Sequence, residues 1–173
     1  MDSDILSNTI AIVEDTLKEE EMKKKYDPRM HTAEHILNQT MIRIFNCGRC
    51  FSAHIERKKS KCDYHFDRVL TEVEISEIED RVNAVIEADM PVREEFIKND
   101  LAAQAYDLKR LPKGTGDEIR IVKIGDYDAC PCIGPHVHST GEVGRFRIVS
   151  TNFENNTLRI RFKLAIANNE NIS

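Results

Sequence analysis

Two pairs of residues in this chain have the types and spacing of metal ligands. His31 and His35 stand four apart in His31-Thr32-Ala33-Glu34-His35, and Cys132 and His136 stand four apart about a hundred residues later. On a helix, positions i and i+4 share one face, so both imidazoles of the first pair can address one ion. The second pair lies in Asp128-Ala-Cys-Pro-Cys-Ile-Gly-Pro-His-Val-His138. Pro135 removes a backbone N–H there and restricts the residue before it, so Cys132 and His136 must converge by loop geometry. Together the pairs offer nitrogen and sulfur donors of the kind that hold tetrahedral zinc. Other readings compete. An isolated HxxxH is commonly two surface histidines, and HxxEH with Glu34 as general base is the inverted zinc-protease motif. That protease also needs a distant carboxylate ligand and a longer chain. Cys130 and His138 are rival ligands two residues to either side of the second pair.

The elements that must position these residues follow from periodicity. Asp27-Pro28 is a helix start, with Asp as N-cap and Pro at the first helical position, and the helix should reach about Phe45. Its apolar stripe is Ala33, Ile36, Leu37, Met41 and Ile44, with the histidines beside it at the N-terminal end. Residues 4 to 25 predict another amphipathic helix, and Thr71 to Asp89 a third with Ile75, Ile78, Val82 and Ile86 inward. Strands are expected at 51–55, 61–66, 91–97, 119–124, 145–149 and 158–166, and a short helix near 100–108. The last strand alternates Leu158, Ile160, Phe162 and Leu164 with Arg159, Arg161 and Lys163, as for an antiparallel sheet covered on one side. Asn155-Asn156 reads as a turn. Helices grouped against antiparallel strands predict an α+β fold: an antiparallel sheet covered by helices, in a single domain over residues 29–167. Residues 1–28 form an N-terminal helix belonging or appended to it, and 168–173 a loose tail.

At 173 residues the chain can bury a sizeable core, and 40% hydrophobic with 32% charged residues is an ordinary globular mixture. No apolar run approaches the roughly 18 residues that cross a bilayer, and the acidic start leads into no signal-peptide core, so a cytoplasmic protein without membrane contact is expected. Five cysteines argue for free thiols or ligands over a disulfide framework. Cys47-Gly48-Arg49-Cys50 reads as ordinary thiols, with a second metal site or a disulfide as alternatives. The net charge of −5 opposes nonspecific nucleic-acid binding but leaves room for local basic patches. Two are visible, Arg57-Lys58-Lys59 with Lys61 and Lys109-Arg110 with Lys113; either can be a solvated loop.

The HTAEH helix start followed by CIGPHVHSTGEVGRFRIVS resembles the zinc-binding editing domain of alanyl-tRNA synthetases, and more closely the freestanding AlaX-type editing proteins. That pattern is HxxxH, then CxxxH, then a Thr-Gly-Glu-[Ile/Val]-Gly stretch, here Thr140 to Gly144. Tyr64-His-Phe-Asp67, Met90-Pro-Val92 and Ile121 to Asp126 follow the family in order, and the likeness runs from about Arg29 to Phe162. It implies a Zn2+ cofactor held by His31, His35, Cys132 and His136. It also implies a carboxylic ester hydrolase, an aminoacyl-tRNA deacylase whose partner is mischarged tRNA(Ala), carrying serine or glycine. Ser52 and His54 fall where substrate-facing residues stand in many synthetases. The chain departs from the pattern at Pro135, where the family usually has Thr. A zinc-containing tRNA-binding module without catalysis is the alternative.

Overall fold

The computed structural model describes residues 27–109, 111 and 116–165. The helix expected at 4–25, the tail at 168–173, and Arg110 and Lys113 of the second basic patch lie outside the described residues. Helix α1 spans Pro28–Phe45; the Asp27 carboxylate accepts from the backbone N–H groups of Arg29 and Met30, a cap worth about 1 kcal/mol. The helix ends at Asn46, whose left-handed φ of 52° breaks the repeat. Strands β1 (Ser52–His54) and β2 (Ser60–His65) come next, then helix α2 (Glu72–Glu87). A reciprocal capping box of Thr71 and Glu74 opens α2. Strand β3 (Val92–Lys98), helix α3 (Asn99–Ala105), and strands β4 (Glu118–Ile124) and β5 (Asp128–Pro131) lead to a single 3-10 turn at Thr140–Val143. Strands β6 (Arg145–Glu154) and β7 (Thr157–Ala165) close the described chain.

The α+β class and the antiparallel pairing agree with the sequence, but the strands form two sheets where one was expected. The first has the order β1-β2-β7-β6 and the second β3-β4-β5, every pair antiparallel. Strand β6 runs five residues past the expected Val149. Asn155 and Asn156 adopt φ of 50° and 56°, a tight primed turn that keeps β6 paired with β7 down to Glu154↔Thr157. A bulge between Ile148 and Ser150 absorbs a change of register on the way. Residues 128–131 were expected in a loop, yet pair with 121–124 of β4.

One face of the four-stranded sheet and the two long helices share a core. Ile36, Leu37 and Met41 of α1, Ile78 and Val82 of α2, and Leu158, Ile160 and Phe162 of β7 are all fully buried in it. Each such side chain contributes roughly 1.5–3 kcal/mol of apolar burial. The 3-10 turn is tied down by Thr140, whose hydroxyl donates to Val85 O (2.7 Å) and accepts from Met90 N (2.8 Å). The Thr-Gly-Glu-Val-Gly stretch therefore anchors the end of the 132–138 loop to α2. Among the described residues, no helix is long and apolar enough to cross a membrane.

Candidate metal centre

The first turns of α1 and the 132–136 loop bring His31, His35, Cys132 and His136 together, with one donor atom from each within 4.8 Å of all the others. His31 Nε2 lies 3.4 Å from Cys132 Sγ. The His136 ring centroid is 4.3 Å from that of His31 and 4.6 Å from that of His35. Cys130 and His138, the rivals from sequence, are not in this group. Cys130 Sγ faces its own strand, 3.5 Å from Pro131 O.

The orientation of the rings is fixed from outside the group. His31 Nδ1 lies 3.2 Å from Pro135 O, and His136 Nδ1 lies 2.9 Å from Gly134 O. A carbonyl can only accept, so each Nδ1 carries the proton and donates, leaving a lone pair on each Nε2. His136 Nε2 is buried and makes no hydrogen bond. Such an atom is costly unless something else occupies its lone pair. His35 Nδ1 stands 3.4 Å from Asp128 Oδ2, held by charge rather than by an aligned hydrogen bond. Three imidazole lone pairs and a thiolate pointing inward, backed by carbonyls and a carboxylate, make a donor set that fits zinc.

The charges are coupled, and the proton that the raised His35 keeps on Nε2 near neutral pH is one that a bound ion would displace. Burial opposes ionisation of Cys132, but the crowding imidazoles of His136, His31 and His35 outweigh it and hold the thiol at about 2. Burial would also depress His35, yet Asp128, Cys132 and Glu34 raise it to about 9. His136, buried and facing His35 and His31, falls to about 4 despite Cys132. Asp128 is itself kept ionised, near 2, because His35 and Arg49 overcome its burial. Arg49 reaches it with two nitrogens, at 2.7 Å and 3.1 Å.

Steric and hydrogen-bond details lock the loop against the helix. A Cβ on Gly134 would stand 2.2 Å from His31 Cε1, so only glycine lets the loop backbone lie on that ring. Thr32 Oγ1 donates to Pro28 O and accepts from Val137 N, joining the helix start to the loop. Arg120 of β4 donates to the carbonyls of Cys132 (3.0 Å) and Gly134 (2.8 Å) and pairs with Glu94. Asp128, Arg49 and Arg120 were missed in the sequence. Asp128 was placed in a loop, Arg49 was hidden inside a motif read for its thiols, and a strand arginine carries no pattern of its own.

Two expectations shift. Glu34 is buried against the group, with Oε2 3.9 Å from both His31 Nε2 and His35 Nε2. Its Oε1 accepts from Asn38 Nδ2 at 2.6 Å and from Cys50 Sγ at 3.4 Å, so Cys50 of the CxxC supports Glu34. Its partner Cys47 instead lies near Met41 O. Ser52 and His54 are not brought to the four. They are exposed, share the outward register of β1 with Asp63 and Lys61, and His54 Nε2 pairs with Glu56 at 2.6 Å.

Residues 119–161 match the family described as threonyl and alanyl tRNA synthetase second additional domain, a stretch that contains Cys132 and His136. Over 132 residues, or 76% of its length, the chain is 35% identical to the alanine–tRNA ligase of Fervidobacterium nodosum. It is 30% identical over 142 residues to that of Methanopyrus kandleri, covering 78% of this chain, and 29% identical over 147 residues to that of Idiomarina loihiensis, covering 84%. The matched regions are 15%, 15% and 16% of those ligases. Residues 119–161 thus resemble the second additional domain of the threonyl and alanyl tRNA synthetases, and most of the chain is similar to a stretch that makes up about 15% of alanine–tRNA ligases.

Proposed function

We propose that residues 29–167 form a trans-editing hydrolase that removes serine or glycine from mischarged tRNA(Ala) at a zinc site. The observation that carries this reading is the convergence of His31, His35, Cys132 and His136 in a relative of alanine–tRNA ligases. The bond broken is the ester between the amino acid and the terminal ribose. Zinc held by the four donors would supply a positive centre to polarise the carbonyl, activate the water that replaces the ribose oxygen, or grip the aminoacyl group. The chain's own part is to hold that centre still. The carbonyls of Pro135 and Gly134 orient His31 and His136, Asp128 orients His35, and Arg120 fixes the loop from behind. The near-complete burial of His35 keeps bulk water from one side.

The test is release of serine from Ser-tRNA(Ala) by the wild type and by Cys132→Ala, with zinc content measured on both. The expected outcome is release by the wild type and a loss of at least about a hundredfold in the variant, together with its metal. A folded, zinc-loaded wild type that frees neither serine nor glycine sinks the hydrolase. It would leave the second reading, a zinc-stabilised tRNA-binding module, which four protein donors favour because structural zinc sites are closed.

A further inference from the structure

The core side of the four-stranded sheet is apolar, whereas its other face is basic in a chain of net charge −5. Registers put Lys61 of β2, Arg159, Arg161 and Lys163 of β7, and Arg145 and Arg147 of β6 on that outer face, alternating with the buried Cys62, Ile160, Phe162 and Phe146. Among the described residues, Arg159 is the one of these with a carboxylate in hand, donating to Asp63 through Nε and Nη2 at 2.7 Å each. Four of the others are arranged against the chain's own stability. Lys61 stands directly opposite Arg161, and Arg147 directly opposite Lys163. Like charges facing each other across a ladder are destabilising, and the Asp63–Arg159 pair shows that opposite signs fit the same pleat. The exposed loop between β1 and β2 adds Arg57 to Lys59 at the Lys61 end. Among the described residues, both long helices pack on the opposite, core side.

At the other end of the face is an aromatic step. The Phe51 ring, 46% exposed, stacks on His65 with centroids 4.2 Å apart and planes 15° from parallel. Its neighbour Cys50 is buried against Glu34, which borders the histidine pair. Phe51 therefore sits at the corner where the basic face meets the metal centre. Cations along a backbone-width track, with a flat ring at one end, are what single-stranded or end-frayed nucleic acid uses.

We propose that the outer face of the β1-β2-β7-β6 sheet is an RNA-binding surface: phosphates lie on Lys61, Arg161, Lys163 and Arg147, and a base near the 3′ end stacks on Phe51. The proposal rests on the tRNA reading above and gives that substrate its path to the site. Ser52 and His54 lie on this face, so substrate contacts by these two fall on the RNA rather than on the aminoacyl group.

The experiment measures binding of an unacylated tRNA(Ala) transcript across a salt series, for the wild type, the Arg147→Gln/Arg161→Gln/Lys163→Gln triple variant, Phe51→Ala, and Arg81→Gln as a control on the exposed side of α2. Losing three phosphate contacts should weaken binding at least about tenfold and flatten the log K against log salt slope by about two to three. Phe51→Ala should weaken binding without changing the slope, and Arg81→Gln should match the wild type. A folded triple variant within twofold of the wild type at the same slope overturns the surface, as does a wild type that binds no transcript at low salt. Serine release separates the two readings. A wild type that frees no serine while the triple variant loses RNA affinity fells the hydrolase and keeps the surface. Release at limiting substrate that is unchanged in the triple variant does the reverse.

Discussion

Two clusters of ligand-type side chains lie back to back around α1. His31, His35, Cys132 and His136 form one; Glu34, Cys50 and Cys62 form the other, also with donor atoms within 4.8 Å and with all three residues buried. By residue type and spacing either could take a metal. They differ in where the lone pairs point. In the first, Nδ1 of His31 and of His136 is engaged outward by a backbone carbonyl, which aims each Nε2 inward. In the second, Glu34 Oε1 accepts from Asn38 and Cys50, while Asn38 Oδ1 accepts from the Cys50 backbone at 2.8 Å. The first cluster turns its Nε2 lone pairs toward one point, and the second satisfies its donors among its own neighbours. Donor type is therefore a weaker guide than the partners that orient each donor.

The contrast is broken most directly by metal stoichiometry. Cys132→Ser should abolish tight zinc binding, whereas Cys50→Ser/Cys62→Ser should retain one zinc per folded chain. Two zinc ions in the wild type, falling to one in the double variant, would show that the second cluster is also a site. A smaller effect is expected from Asp128→Asn. It removes the anion behind His35 and leaves Arg49 half-buried without its carboxylate, so zinc affinity measured by chelator competition should fall about ten- to a hundredfold. An unchanged affinity would show that His35 is oriented by packing alone. The smallest effect lies far from both clusters. Arg68 and the Thr71 backbone hold the half-buried Glu74 at about 2, below the usual 4.5. A depressed acid stabilises fully above its unfolded value and loses that contribution as pH falls toward its folded one. The melting points of wild type and Glu74→Gln should therefore differ above pH 5 and converge as pH falls from 4.5 toward 2. A gap that stays constant over that window would assign the effect to the cap's hydrogen bonds alone.

The sequence showed the helix start at Asp27-Pro28, the amphipathic face of α2 and the alternation of β7, because each is a local pattern with a local cause. It also singled out the four residues that converge. What it could not show was lateral. β5 was invisible because Asp128 to Pro131 holds proline and cysteine where strand formers were sought, and only pairing with β4 makes it a strand. That error hid Asp128, since a loop aspartate has no fixed neighbour whereas one in β5 faces His35. The basic alternation of β7 was read as a wet face. Its meaning came from registers: Lys61 flanks it from β2, far away in sequence, and Arg147 from the hairpin partner β6, and no periodicity reveals that like charges meet.

The contact between Gly134 and His31 also has a consequence in time. His31 and Cys132 are 101 residues apart in the chain, and the loop takes its shape against a ring made long before it. During synthesis the amino-terminal pair emerges as half a site, unable to hold an ion with four donors until His136 has cleared the ribosome. A metal ion held by all four donors would then be captured only as β4, β5 and the loop dock onto α1, so its supply would act late in assembly rather than at the start.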